Sequence, residues 1–319
     1  MSVLAPEGTA WMNIMNDFNR ELKEKTQGEL EFKIYAGGVS GDETDVIRKM
    51  RSGQIHAGGF TGVGLGQILP EIRILELPFI FQNYNEVDHI HQELGVYFKE
   101  QFKSKGYVFL GFAEAGFVNI FSSKPLKTQA DLKSAKMWAW EGDVLVKELC
   151  AAYKIVPVTL SIADVLTSLQ TGLIDSFYAP PLGAIALQWF TKVKYMTEPQ
   201  LTNSTGGVVV SKKIFDTIPE KNQKILQELA NKHLRALITN TREGNQKSYE
   251  TLKKQGIKFV TVSSDELEKM KITSKQVQQK LTGTLYSKSL LDRLNTALES
   301  YRKGENKTPE KKSKKNKKS

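Results

Sequence analysis

Val46-Ile-Arg-Lys-Met-Arg-Ser-Gly-Gln-Ile-His-Ala-Gly-Gly-Phe60 and Val165-Leu-Thr-Ser-Leu-Gln-Thr-Gly-Leu-Ile-Asp-Ser-Phe-Tyr-Ala179 follow one plan. Each reads as an amphipathic helix, a Ser-Gly or Thr-Gly stop, a hydrophobic step into a short strand, then aromatic and small residues. The flanking sequence alternates the same two periods. Trp11, Ile14, Met15, Phe18 and Leu22 are spaced for a helix ended by Gly28, and Leu30–Tyr35 alternates as a strand. Ser40-Gly-Asp-Glu43 reads as a capping box opening the next helix. Helical spacing returns from about Asn85 to Lys103, followed by two strands, Tyr107–Phe112 and Phe117–Ser122. This order predicts an α/β fold. The repeated helix–glycine–strand unit predicts two lobes whose strand ends face a shared cleft.

The second half extends the pattern. A strand-like run over Leu201–Val210 precedes Ile218-Pro219 and a helix reaching about Lys254. Ile257–Val262 reads as a strand, Ser263-Ser-Asp-Glu266 caps a further helix, and Leu290, Leu291, Leu294, Leu298 and Tyr301 mark a final amphipathic helix.

Length and composition suit this architecture. The 319 residues, 40% hydrophobic and 25% charged, can build two buried cores. No apolar run approaches the ~20 residues that cross a bilayer. Met1-Ser-Val-Leu-Ala-Pro-Glu-Gly-Thr9 has neither a basic n-region nor an apolar h-region, so no signal peptide is read there. The net charge of +10 is unevenly placed: Lys303–Ser319 holds eight Lys against two Glu, contributing +6 and leaving +4 for the body. With no apolar residue to bury, the segment 303–319 is expected to be a disordered tail, read as a solubilising extension or as an electrostatic contact for anionic lipid or an acidic partner.

Catalytic and metal-binding patterns are absent from the sequence. The histidines of His89-Ile-His91 fall on different helix faces and have no ligand companions at useful spacing. The Gly58–Gly66 run lacks the Lys-Ser/Thr of a phosphate loop, and reads instead as a place where backbone approaches a ligand or a neighbouring lobe. No nucleophile elbow occurs. Basic residues lack aromatic interleaving, which argues against nucleic-acid binding. The single cysteine, Cys150, excludes an internal disulfide and reads as a small buried hydrophobe. The expectation is therefore no enzyme, no cofactor and no metal.

Several segments together resemble the solute-binding proteins of tripartite ATP-independent periplasmic (TRAP) transporters. They are Ala5-Pro-Glu-Gly-Thr-Ala-Trp11, Glu24-Lys-Thr-Gln-Gly28, Ala36-Gly-Gly38, Met50-Arg-Ser-Gly53, Leu75-Glu-Leu-Pro-Phe-Ile-Phe81, Ile174-Asp175 and Val208–Pro219. They fall in matching order over roughly residues 3–301. The resemblance implies the two-lobed periplasmic solute-binding fold, with a ligand cleft between the lobes and long helices spanning both. It places residues 1–121 and 208–256 in lobe one and residues 122–207 and 257–280 in lobe two. The helix 281–302 would lie across both. It further implies periplasmic capture of a small-molecule ligand, TRAP permease membrane subunits as partners and, in one variant of the family, a periplasmic helical-repeat protein.

In that family an arginine after an Asp-Leu-Lys-Gly-Leu-Lys-Ile-like run grips the ligand carboxylate bidentately. Here Asp131-Leu-Lys-Ser-Ala-Lys-Met137 is followed by Trp138, and Asp175-Ser-Phe-Tyr-Ala-Pro180 puts Ala179 where the family has an asparagine. Indole has one N–H and no charge, so it cannot reproduce the clamp. The implied site is apolar and aromatic: Trp11, Phe60, Phe79, Phe117, Trp138, Trp140 and Tyr178 beside Ala179, with polar points at Thr61, Glu114 and Thr159. Each buried methylene of a ligand would contribute about 0.8 kcal/mol there. Three readings stand beside this one. Core packing could claim several of these aromatic residues. A carboxylate could be gripped by a displaced base, Arg73 or Lys136. The fold could serve as a ligand-sensing module; an enzyme would have to rest on Glu114, which has no visible partner.

Overall fold

The computed structural model describes residues 1–305. Eight strands appear in chain order: β1 (Ser2–Val3), β2 (Ala57–Thr61), β3 (Tyr107–Ser122), β4 (Trp138–Trp140), β5 (Val158–Leu160), β6 (Ser176–Ala179), β7 (Tyr195–Ser211) and β8 (Lys258–Thr261). The main sheet runs β1-β2-β7-β3-β6, with β8 added to β7, and β4 and β5 form a separate parallel pair. A single parallel bridge, Met137 to Ser176, ties that pair to β6.

Two long strands carry the architecture. β3 and β7 pair antiparallel from Tyr107 opposite Ser211 to Ser122 opposite Tyr195, with register shifts at Phe109/Gly111, Glu114/Gly116 and Val118/Ile120. The two strands expected at 107–112 and 117–122 are thus one continuous strand, because the residues between them stay paired through a bulge rather than turning. The same pairing extends β7 back to Tyr195, six residues before the expected start at Leu201. The expected lobe boundaries at 121/122 and 207/208 fall inside these strands, which run through both lobes unbroken. Leu30–Tyr35 is not a strand. Only Tyr35 is paired, in a bridge to Ser2 at the sheet edge.

Helices close the faces. Glu220–Lys254, 35 residues and about 50 Å long at 1.5 Å per residue, places Leu226, Leu229, Leu234 and Leu237 in the core of the first lobe and Leu252 in that of the second. Ser264–Leu281 also joins the lobes, with Met270 in the second and Val277 and Leu281 in the first. The final helix, Lys288–Glu305, does not lie across both. Its Leu290, Leu294 and Leu298 pack in the first-lobe core against Tyr84–Ser104, and Arg302 donates to Glu86 Oε1 at 2.7 Å and to the Ile80 carbonyl at 2.9 Å. The tail expected from Lys303 begins as part of this helix, and the remainder lies outside the described residues.

The capping box of the second helix sits two residues later than expected. Asp42 caps Glu43–Arg51 and Asp45 reaches back to its backbone, which frees Glu43 for a buried role. The two halves of the sequence echo are nevertheless equivalent in structure: Glu43–Arg51 leads into β2 and Val165–Thr171 into β6. Gly172 ends the latter helix with φ of 73°, a left-handed conformation that glycine adopts without steric cost.

Candidate ligand-binding site

A cavity of about 250 Å³ lies where these two strand ends meet. Thr61 ends β2, Ala179 ends β6, and both line it. β4 supplies Trp138 and Trp140. Residues two apart on a strand share a face, so both indoles border the cavity. Trp138 stacks on Tyr178 with ring centroids 5.0 Å apart and takes the edge of Trp189 at 5.2 Å. Its Nε1 donates to the Leu160 carbonyl at 3.1 Å, so the single polar atom of the indole is spent within the lobe. Ile120, Leu132, Met137, Leu145, Leu149, Cys150, Ile155, Leu201 and Met270 complete a largely aliphatic wall. Burial raises the Cys150 thiol to about 11, keeping it protonated and inert.

Six of the residues expected at the site line the cavity: Trp138, Trp140, Tyr178, Ala179, Thr61 and Phe79. The other five are elsewhere. Phe60 precedes Thr61 on β2 and so points the opposite way, into the first-lobe core against Gly58 and Gly64. Phe117 packs on Tyr84 at 4.8 Å, leaving its neighbour Val118 to face the cavity. Trp11 covers Gly59, where an added Cβ would meet its ring at 2.7 Å. Thr159 is exposed. Glu114 does have a partner: Arg242 donates from Nε to its Oε1 at 2.6 Å and from Nη2 to Oε2 at 3.1 Å. It is a structural carboxylate and does not line the cavity, although its neighbour Ala115 does.

One end of the cavity is charged. Arg73, 6% exposed, donates from Nη2 to both oxygens of Asp143, at 2.8 and 3.0 Å. Its Nη1 lies 2.7 Å from Glu76 Oε2 but at an angle that leaves it without a hydrogen-bond acceptor among the described residues. Burial opposes the Arg73 charge, yet Asp143 and Glu76 outweigh it and hold the pKa above the ordinary arginine value. Burial raises the Glu76 carboxyl to about 7, against the pull of Arg73. The Tyr178 hydroxyl, buried beside Asp143, is pushed far above its ordinary value and stays neutral. Lys136, the other displaced base considered, does not line the cavity; its Nζ donates to the Gly172 carbonyl at 3.1 Å.

The glycine run Gly58–Gly66 reaches the cavity at Thr61 and Val63, and it also makes room for two buried carboxylates. A Cβ on Gly62 would fall 2.2 Å from Glu76 Oε2, and one on Gly64 would fall 2.6 Å from Glu43 Oε2. Only glycine lets the two buried carboxylates sit against the helix Gly62–Ile68. Glu43 accepts from Thr61 N–H and Gly64 N–H, each at 2.6 Å. Across the cleft, Trp140 Nε1 donates to Asp42 Oδ2 at 3.0 Å, Ile162 N–H to the same oxygen at 3.3 Å, and Gln67 Nε2 to the Gly142 carbonyl at 3.3 Å. With Arg73–Asp143, these contacts hold the lobes together over the cavity.

Sequence reasoning missed Asp143, Glu76 and Trp189. Asp143 was legible as a helix N-cap, since it precedes Val144-Leu-Val and accepts from Val146 N–H at 3.1 Å. Nothing in sequence spacing pairs it with Arg73, 70 residues away.

The sequence profile of DctP, described as bacterial extracellular solute-binding protein, family 7, matches residues 1–284. The chain is 28% identical over 256 residues to the 2,3-diketo-L-gulonate-binding periplasmic protein YiaO of Escherichia coli (strain K12), covering 76% of this chain and 75% of that protein. Among solved structures it resembles a TRAP periplasmic solute-binding protein of Xanthobacter autotrophicus PY2 with bound β-D-galacturonate. The TM-score is 0.87 at 17% identity, covering 93% of this chain and 98% of that one. A second, from Desulfovibrio salexigens with bound orotic acid, gives 0.86 at 19% identity, covering 95% and 97%. No helix among the described residues is long and apolar enough to cross a membrane. A two-lobed α/β fold closed over an interlobe cavity, and a family profile matched along most of its length, identify the chain as a member of the DctP family of TRAP periplasmic solute-binding proteins, which are receptors and not enzymes.

Proposed function

We propose that this receptor captures a small apolar or amphipathic solute between its lobes and delivers it to the membrane subunits of an ion-gradient-driven TRAP permease. The observation that carries the reading is the cavity wall. Trp138 stands where the family's clamping arginine is expected, its N–H is spent on Leu160, and Trp140, Trp189, Phe79 and aliphatic side chains form most of the remaining surface. Such a wall offers dispersion contacts and water exclusion but few hydrogen bonds, which suits a ligand that binds by shedding apolar surface. Trp138, Trp140, Tyr178, Ala179, Thr61 and Phe79 are the contacts we assign to that ligand. The three similar proteins described above are named for 2,3-diketo-L-gulonate or hold galacturonate or orotic acid. The proposal therefore separates this chain from them by chemistry and not by fold.

A homologous series tests it. In isothermal titrations of the purified protein with 1-butanol through 1-octanol, affinity should rise about fourfold per methylene until the cavity is full, matching about 0.8 kcal/mol each. Binding of D-glucuronate with no response to any alkanol would overturn the reading.

A further inference from the structure

Arg73 is the only lysine or arginine that lines the cavity among the described residues, and its Nη2 already holds a carboxylate. We propose that Asp143 is a built-in occupant of an anion site: it fills the place at Arg73 that a solute carboxylate would take, and so makes the cavity select an apolar solute with an uncharged head. The inference deepens the apolar-solute reading of the same cavity and rests on it for the ligand class.

Three observations support the assignment. First, Asp143 is fixed in place independently of Arg73. It caps the helix Val144–Ala152 through Val146 N–H, so yielding its position to a solute would also uncap that helix. Second, the surroundings disfavour another anion. Glu76 lies on the other side of the guanidinium, so one arginine already faces two carboxyl groups. A solute carboxylate would add a third acidic group to a buried space with no further lysine or arginine among its described lining residues. Third, the guanidinium has no free edge for a second carboxylate. Nη2 is taken by Asp143, and Nη1 is buried 2.7 Å from Glu76 Oε2. An uncharged polar head brings no further charge into that space.

Asp143→Ser tests this directly, because serine retains the helix cap while vacating the space at Arg73. Benzoate and benzamide serve as isosteric probes of charge, followed by the fluorescence of the cavity tryptophans Trp138, Trp140 and Trp189. Wild-type protein should prefer benzamide. Asp143→Ser should bind benzoate at least tenfold more tightly than wild type does, and adding Arg73→Met should abolish the gain. Asp143→Asn keeps both size and cap; it should shift selectivity the same way by a smaller factor and supplies the test if the serine variant does not melt cooperatively. Equal benzoate affinity in wild type and in a folded variant would overturn the proposal, as would a gain that survives Arg73→Met. The two readings fail separately. No benzamide or alkanol binding to wild type, with benzoate gained by Asp143→Ser, sinks the apolar solute and keeps the occupant; the converse sinks the occupant alone.

Discussion

Two arginines of this protein each sit between two carboxylates, and they are used differently. Arg242 is fully committed: Nε and Nη2 donate to Glu114, Nη1 and Nη2 donate to Asp88 at 2.8 and 2.7 Å, and the guanidinium lies 4.3 Å over the Tyr84 ring. Its partners come from the helix Tyr84–Ser104 and from β3, all in one lobe. Arg73 donates from Nη2 to Asp143 of the opposite lobe, while its Nη1 is buried 2.7 Å from Glu76 Oε2 of its own lobe without an aligned acceptor among the described residues. The contrast teaches how to tell a structural charge cluster from one at a working site. Where every donor has an acceptor and one packing unit supplies them all, the cluster specifies the fold. Where two lobes supply the partners and the cluster borders a cavity, its charge acts on what the cavity can hold.

The largest expected effect is on the committed arginine. Arg242→Met strands buried Glu114 and should cost about 3–5 kcal/mol in urea unfolding, with the preference between benzamide and benzoate unchanged. A change in that preference would break the comparison, because it would give Arg242 a hand in selectivity.

The next effect concerns pH. Glu76 is raised by burial from 4.5 to about 7, so the folded protein holds a proton that the unfolded chain releases. The stabilisation is therefore complete below about pH 4.5 and is lost as pH climbs to about 7. Relative to Glu76→Gln, wild type should lose about 3 kcal/mol across that window, read from paired denaturation curves. Glu43 is raised in the same direction but is common to both proteins and cancels in the difference. Parallel curves would mean that Arg73 keeps Glu76 ionised, and would bring the two clusters closer in character.

The smallest effect isolates the lobe contact itself. Gln67→Ala removes one partly exposed hydrogen bond across the cleft and should cost at most about 1 kcal/mol. A larger loss of thermal stability would assign lobe closure to the rim and not to Arg73–Asp143.

Much of the fold was legible in the sequence because its signals are local. The repeated unit at 46–60 and 165–179 placed two equivalent strand ends, and those ends do meet at the cavity through Thr61 and Ala179. Helix periods located Trp11 through Leu22 and the long helix ending at Lys254 within a residue or two. The misreadings arose where pairing partners decide. Leu30–Tyr35 alternates like a strand but finds a neighbour only at Tyr35, whereas β3 passes through residues that read as a break because β7 pairs alongside.

The site divided along the same line. Trp138, Trp140, Tyr178 and Ala179 do line the cavity, because short strands set their positions relative to one another. Phe60 and Phe117 were misplaced because a strand offers only alternate residues to one face, and a bulge resets which ones. By itself, then, the sequence determined the two-lobed α/β plan and the receptor family, both carried by residue order and short-range periodicity. Only the tertiary structure decided that an arginine still borders the cavity and that Asp143 already fills it. The physical reason is that an ion pair across a cleft depends on how two lobes close, and no local pattern records that distance.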